Sequence, residues 1–144
     1  MAVVTASSEL GECLGSLGGS AQATITLSAV KVENYAGIIF VGGPGATIYQ
    51  TDKNAWRVAQ AAVQQHKLLA AICIAPTILA LAGVLKNKQS TVWNGDKKPA
   101  VILQQAGAIF IDQPVVHDGL IITANGPAAA TAFARAIINK LARP

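Results

Sequence analysis

The sequence predicts an α/β domain, built on a mostly parallel sheet with helices on both faces. Three observations predict it. Short apolar, β-branched runs alternate along the chain with stretches of helical periodicity. The composition, 52% hydrophobic and 12% charged, suits a compact, well-covered sheet and argues against disorder. A length of 144 residues is enough for one domain with its own core, spanning 1–144, and too short for two.

Each element has its own signal. "AVVTA" at 2–6 is expected as a strand and "GSLGGS" at 15–20 as a flexible loop. "GIIFV" at 37–41 is a strand that runs into glycines. A helix begins after Asp52, a residue suited to the N-cap, and sets Ala55, Ala59, Ala62 and Val63 against the sheet. "LLAAI" at 68–72 is a buried strand, followed by a helix from Ala75 or Pro76 to near Gly83, because proline suits a first turn and glycine a C-terminus. "STVW" at 90–93 is a strand, Pro99 to Ala106 a helix, and "AIFI" at 108–111 another strand. "VHDGL" at 116–120 reads as a hairpin turn leading into the strand "LIITA" at 120–124, since Asp-Gly favours that geometry. A last helix from Pro127 carries Ala129, Phe133, Ile137 and Leu141 along one stripe.

Composition excludes several functions. The net charge is +4, but the cations are scattered, with "KNK" at 86–88 and "KK" at 97–98 as the only clusters and no aromatics interleaved. No nucleic-acid partner is expected. The start has no basic segment leading into an apolar one, and no apolar stretch is long enough for a membrane span, so the expected location is the cytoplasm, with no membrane partner. Cys13 and Cys73 are expected as free thiols, and His66 and His117 stand far apart. No metal site is expected.

The stretch "LLAAICIAPTILALAG" at 68–83 places Cys73 in a turn of two or three residues between a buried strand and a helix. In a parallel sheet that turn lies at the C-terminal edge, where ligands bind. A nucleophile on such a turn projects into the cleft, and the free amides of the helix start favour a thiolate and can hold an oxyanion. The alternative is that Cys73 is a small buried apolar residue, as many free cysteines are. "IIFVGGPGATIY" at 38–49 is a second strand ending in glycines, expected next to the Cys73 strand. It fails the dinucleotide fingerprint, because the last required glycine falls on Ile48, and it lacks the lysine of a phosphate-binding loop. No nucleotide cofactor is expected. Such glycines bring backbone N–H groups close to a reacting atom, or else make a tight turn and nothing more.

Taken in order, "FVGGPGA", "AAICIAPTILALAGVLKNK", "STVW", "DQPVVHDGLIITANGP" and "AAATAFARAIINKL" resemble the DJ-one/ThiJ/PfpI family over nearly the whole chain. The resemblance implies a flavodoxin-like three-layer sandwich of the class I glutamine-amidotransferase-like superfamily and a homo-oligomer. It sets Cys73 on the family's nucleophile and Gly43, with the amide of Ile74, on its oxyanion hole. Two departures accompany it. Ile74 stands where PfpI-type members place a histidine, and Trp93 stands where other members place one, so no histidine is assigned as base. The family's opening strand and helix, with the glutamate that contacts the cysteine sulfur, have no counterpart, since Glu9, Glu12 and Glu33 do not match it. The first βα unit is therefore expected to be absent, leaving sheet edges that invite self-association. His117, in a turn, and His66, after a helix C-terminus, are expected on the surface.

Three functions follow. The first is cofactor-independent attack of Cys73 on a small reactive carbonyl such as a 2-oxoaldehyde. The second is a PfpI-type peptidase or amidase, which Ile74 counts against because an amine leaving group needs a proton donor. The third is a non-enzymatic stress role in which Cys73 is oxidised to a sulfinic acid.

Overall fold

The computed structural model describes residues 1–143. Contacts divide the chain into two compact units, Met1–Lys31 and Val32–Pro144.

The first unit is built of short paired strands. Strand β1 (Ala6–Ser7) lies parallel to β4 (Ile25–Thr26), while β2 (Gly11–Leu14) and β3 (Ser20–Ala23) form an antiparallel hairpin. The expected strand at 2–6 is thus confined to its last residue, and Val3 and Val4 are exposed. The glycine-rich segment 15–20 is a hairpin turn rather than a flexible loop, closed by Gly15 N–H on the Gly19 carbonyl at 2.7 Å and Gly18 N–H on the Gly15 carbonyl at 3.2 Å. Cys13 lies within β2, paired with Ala21.

The second unit holds a four-stranded sheet in the order β5-β6-β10-β9, from β5 (Gly37–Phe40), β6 (Leu68–Ile72), β9 (Val115–Asp118) and β10 (Ile121–Ala124). The first three are parallel and β9 is antiparallel to β10 through the expected Asp118–Gly119 turn. A separate parallel pair joins β7 (Gln89–Ser90) to β8 (Ile109–Phe110). Of the expected strand at 90–93 only Ser90 pairs as a strand, and the expected strand at 108–111 is likewise reduced to two residues.

Among the described residues, four α-helices cover this framework. Helix α1 (Lys53–Gln64) starts as expected at Asp52, whose carboxylate accepts from the amides of Asn54 at 2.7 Å and Ala55 at 3.1 Å. It buries Ala55, Val58, Ala59 and Ala62, whereas Val63, expected on the inner face, is 40% exposed. Helix α2 (Pro76–Leu81) is almost wholly buried, α3 is Lys98–Gln105, and α4 (Ala130–Leu141) follows a 3-10 turn at Pro127–Ala129. The predicted stripe of the last helix packs as expected: Ala129, Phe133 and Ile137 form one core with Leu68, Ala70, Ile122 and Ala124, and Leu141 packs against it. Strand residues alternate between faces. The intervening Leu69, Ala71, Ile121 and Thr123 are equally buried, so β6 and β10 are covered on both sides, as a parallel sheet requires.

Candidate active site

The site is assembled where β6 meets α2. Cys73 adopts φ 65°, the left-handed region that a non-glycine residue rarely enters. Such a conformation costs about 1–3 kcal/mol and persists only where its surroundings hold it. Here both backbone groups of Cys73 are held: its amide donates to the Ala124 carbonyl at the end of β10, at 3.0 Å, and its carbonyl accepts from the Trp93 amide at 2.8 Å. The Ala75 amide closes the turn onto the Ile72 carbonyl at 3.2 Å. The result is a sharp strand-to-helix elbow with Cys73 at its apex and its side chain half-buried. Among the described residues no acceptor takes the Ile74 amide hydrogen.

The glycine loop lies against this elbow because β5 pairs directly with β6. Gly42 sits closest. A Cβ at Gly42 would stand 2.6 Å from the Ile72 carbonyl oxygen, 2.7 Å from Cys73 Cβ and 2.9 Å from the Ile74 nitrogen. Gly43 has φ 118°, open in practice only to glycine, and starts a 3-10 helix at Pro44–Thr51 by accepting from the Ala46 amide at 3.0 Å. No described acceptor takes the Gly43 amide hydrogen either.

A short polar chain ties loop to elbow. Thr77, fully buried, donates its hydroxyl to the Ile74 carbonyl at 2.6 Å and accepts from Gln50 Nε2 at 2.9 Å. The Gln50 carbonyl in turn accepts from Trp56 Nε1 of α1 at 3.1 Å. Sequence reading missed all three contacts. A threonine and a glutamine 27 residues apart carry no local signal of pairing, although a lone polar residue in the apolar run "APTILALAG" marks Thr77 as unusual. Gly42 was legible only as the neighbour of Gly43.

Trp93 borders the elbow through its amide and is 39% exposed. Beside it opens a cleft of about 490 Å³, lined among others by Trp93, Asn94, Lys97, Asp112, Asn125 and Gly126. The two histidines lie elsewhere. His66 is exposed in the turn after α1, separated from Cys73 by the length of β6. His117 is exposed as expected, but it belongs to strand β9, opposite Ile122, rather than to the turn. Among the described residues no three His, Cys, Asp or Glu side chains converge as a metal-binding group, and no helix is long and apolar enough to cross a membrane.

Residues 1–140 match the sequence model of the DJ-1/PfpI family. An uncharacterized protein of Methanocaldococcus jannaschii, MJ0967, is 35% identical over 134 residues, which are 91% of this chain and 64% of that protein. The deglycase PH1704 of Pyrococcus horikoshii is 30% identical over 139 residues, 96% of this chain and 82% of that one. The crystal structure of a ThiJ/PfpI domain protein from Brachyspira murdochii superposes with a TM-score of 0.92 at 27% identity, covering 98% of this chain and 80% of that one. The elbow, the glycine loop against it and the parallel order of their strands thus sit in a flavodoxin-like α/β fold, and the chain belongs to the DJ-1/PfpI family.

Proposed function

We propose that Cys73 is the nucleophile of a cofactor-independent reaction on small reactive carbonyls, 2-oxoaldehydes above all, of the kind described by the name of a relative 28% identical over 120 residues, the glutathione-independent glyoxalase DJR-1.2 of Caenorhabditis elegans. The observation that carries this reading is the left-handed backbone of Cys73 at the apex of the elbow. Strain of that kind concentrates at functional sites. In this reading Sγ, as thiolate, adds to the aldehyde carbon, forming a C–S bond and an alkoxide that the amides of Gly43 and Ile74 stabilise. Protonation of the alkoxide yields a hemithioacetal. The hydrogen on that carbon then leaves as a proton, and C2 is protonated through the enediol. The former aldehyde carbon is thereby oxidised to a thioester and the neighbouring ketone reduced to an alcohol, so no external oxidant is consumed. Water cleaves the thioester, releasing a 2-hydroxy acid and restoring the thiol.

No histidine of this chain is assigned as base, and in this reading water carries the protons. Peptide hydrolysis is the weaker reading, because Ile74 occupies the place of the histidine next to the nucleophile in PfpI-type members. A homo-oligomer belongs to the same proposal: β5 ends the four-stranded sheet, and Ile39 on it and Val41 just past it are 48% and 71% exposed.

The test is conversion of methylglyoxal to lactate by the purified chain and by Cys73→Ser. Loss of conversion and of any peroxide-induced mass gain at residue 73, with an unchanged circular dichroism spectrum, supports the reading. Equal conversion by both proteins refutes it. Light scattering reports the oligomer, and a strictly monomeric chain would remove that part of the proposal.

A further inference from the structure

A second cleft, of about 510 Å³, lies along one face of α4 and is lined by His117, Ala132, Arg135, Ala136, Asn139, Lys140 and Arg143. It includes no residue of the elbow or of the glycine loop. Its lining carries three permanent cations and no carboxylate. The last acidic residue in the sequence is Asp118. That residue follows His117 on β9, so its side chain points to the other face of the strand, where it accepts from the Gln89 amide at 2.8 Å. Among the described residues nothing neutralises the cleft.

Favourable placement at a helix C-terminus explains part of this charge, since cations there offset the macrodipole. That effect falls off within the last turn. It covers Lys140 and Arg143 and leaves Arg135, in the middle of α4, together with His117 on another element, unexplained. Arg135 and Asn139, four residues apart on α4, share one face, and Arg143, beyond the helix end, lines the same cleft. Arg135 and Asn139 stand one turn apart on that face, about 6 Å along the axis at 1.5 Å per residue, while Lys140, turned about 140° from Arg135 around the axis, lines the same cleft. A spacing of one turn matches a short phosphate chain. Guanidinium groups bind phosphate in bidentate fashion, Lys140 adds a point charge, and Asn139 adds amide donors. The site is an open surface groove, with Arg135, Asn139 and Arg143 exposed to solvent.

We propose that this cleft binds a small oligophosphate anion, read through its phosphates and carried either as inorganic polyphosphate or on a nucleotide.

The experiment is calorimetric titration of the full chain at about 0.15 M salt, where the Debye length is about 8 Å, with inorganic tripolyphosphate and, separately, with ATP. One saturable site for each, with affinities within about threefold, is expected if the phosphates carry recognition. The double variant Arg135→Ala, Lys140→Ala should weaken tripolyphosphate binding by about tenfold or more, as loss of two charge-assisted contacts implies. Removing the same charge on α1, at Lys53→Ala, Arg57→Ala, should change it by less than about twofold, because neither residue lines the cleft and exposed charges beyond a Debye length are screened. Arg135→Gln alone, at an exposed position, provides a milder variant should the double one unfold, and it should also weaken binding. Absence of saturable tripolyphosphate binding, equal weakening by the two double variants, or binding of ATP without binding of tripolyphosphate would each overturn the proposal.

Discussion

Gly42→Ala tests the elbow most directly, because the obstacle to a methyl group there is backbone. The new Cβ would meet the Ile72 carbonyl oxygen at 2.6 Å, Cys73 Cβ at 2.7 Å and the Ile74 nitrogen at 2.9 Å. None of these atoms is the free end of a flexible side chain. They are held by the Cys73 amide on Ala124, the Trp93 amide on Cys73 and the pairing of β5 with β6. Relief therefore requires the end of β5 to move away from the elbow. Overpacking of this kind costs about 1–3 kcal/mol. For a chain of this length the melting temperature should fall by about 3–12 °C, at roughly 3–4 °C per kcal/mol. Gly45→Ala, three residues along the same loop, is the control, because a Cβ there meets nothing within 4 Å. It should stabilise the chain by about 0.4–1 kcal/mol through the unfolded state. Both melts are measured by differential scanning calorimetry. The rate of Cys73 labelling by a disulfide reagent, in a Cys13→Ser background, reports displacement of the elbow. A Gly42→Ala protein melting within about 1 °C of the parent, less than the smallest expected shift, and labelling at the parent's rate would refute the reasoning.

Three further outcomes are expected. Cys73 should label faster than Cys13 at neutral pH, read by mass spectrometry of the two peptides, because Cys13 sits in a hairpin strand with only a long contact of 3.9 Å from its sulfur to the Gly11 carbonyl; slower labelling of Cys73 would count against the nucleophile. Thr77→Val removes the hydroxyl that joins Gln50 to Ile74 and leaves a donor without its acceptor, so it should lower stability by about 1–3 kcal/mol in urea titration. Asp52→Ala deletes the cap on Asn54 and Ala55 and should cost about 0.5–2 kcal/mol, seen in the same titration.

The sequence by itself determined the parts of this protein whose cause is local. A five-residue apolar run followed by Ala-Pro is enough to announce strand β6, the sharp turn and the start of α2, and so the position of Cys73. Asp52 announces α1 because its carboxylate serves amides two and three residues away. The stripe Ala129, Phe133, Ile137 announces the buried face of α4 because helical spacing alone aligns those side chains. The tertiary structure decided what depends on residues far apart in the chain. Segment 15–20 has the composition of a loose loop, and only the strands that flank it make it a hairpin turn. Val3 and Val4 have strand propensity but are exposed and unpaired, since a strand exists only where another presents its edge. Thr91 to Trp93 read as strand continuation, yet Trp93 leaves the ladder to hold the Cys73 carbonyl. The inner face of α1 turned out to include Val58 instead of Val63, because the angle at which the helix meets the sheet sets its rotation, and periodicity leaves that phase free. The same limit governs the site. Two adjacent glycines look alike in sequence, and it is the register of β5 on β6, with Gly37 opposite Leu68, that brings Gly42 against the elbow and leaves Gly43 to turn the chain.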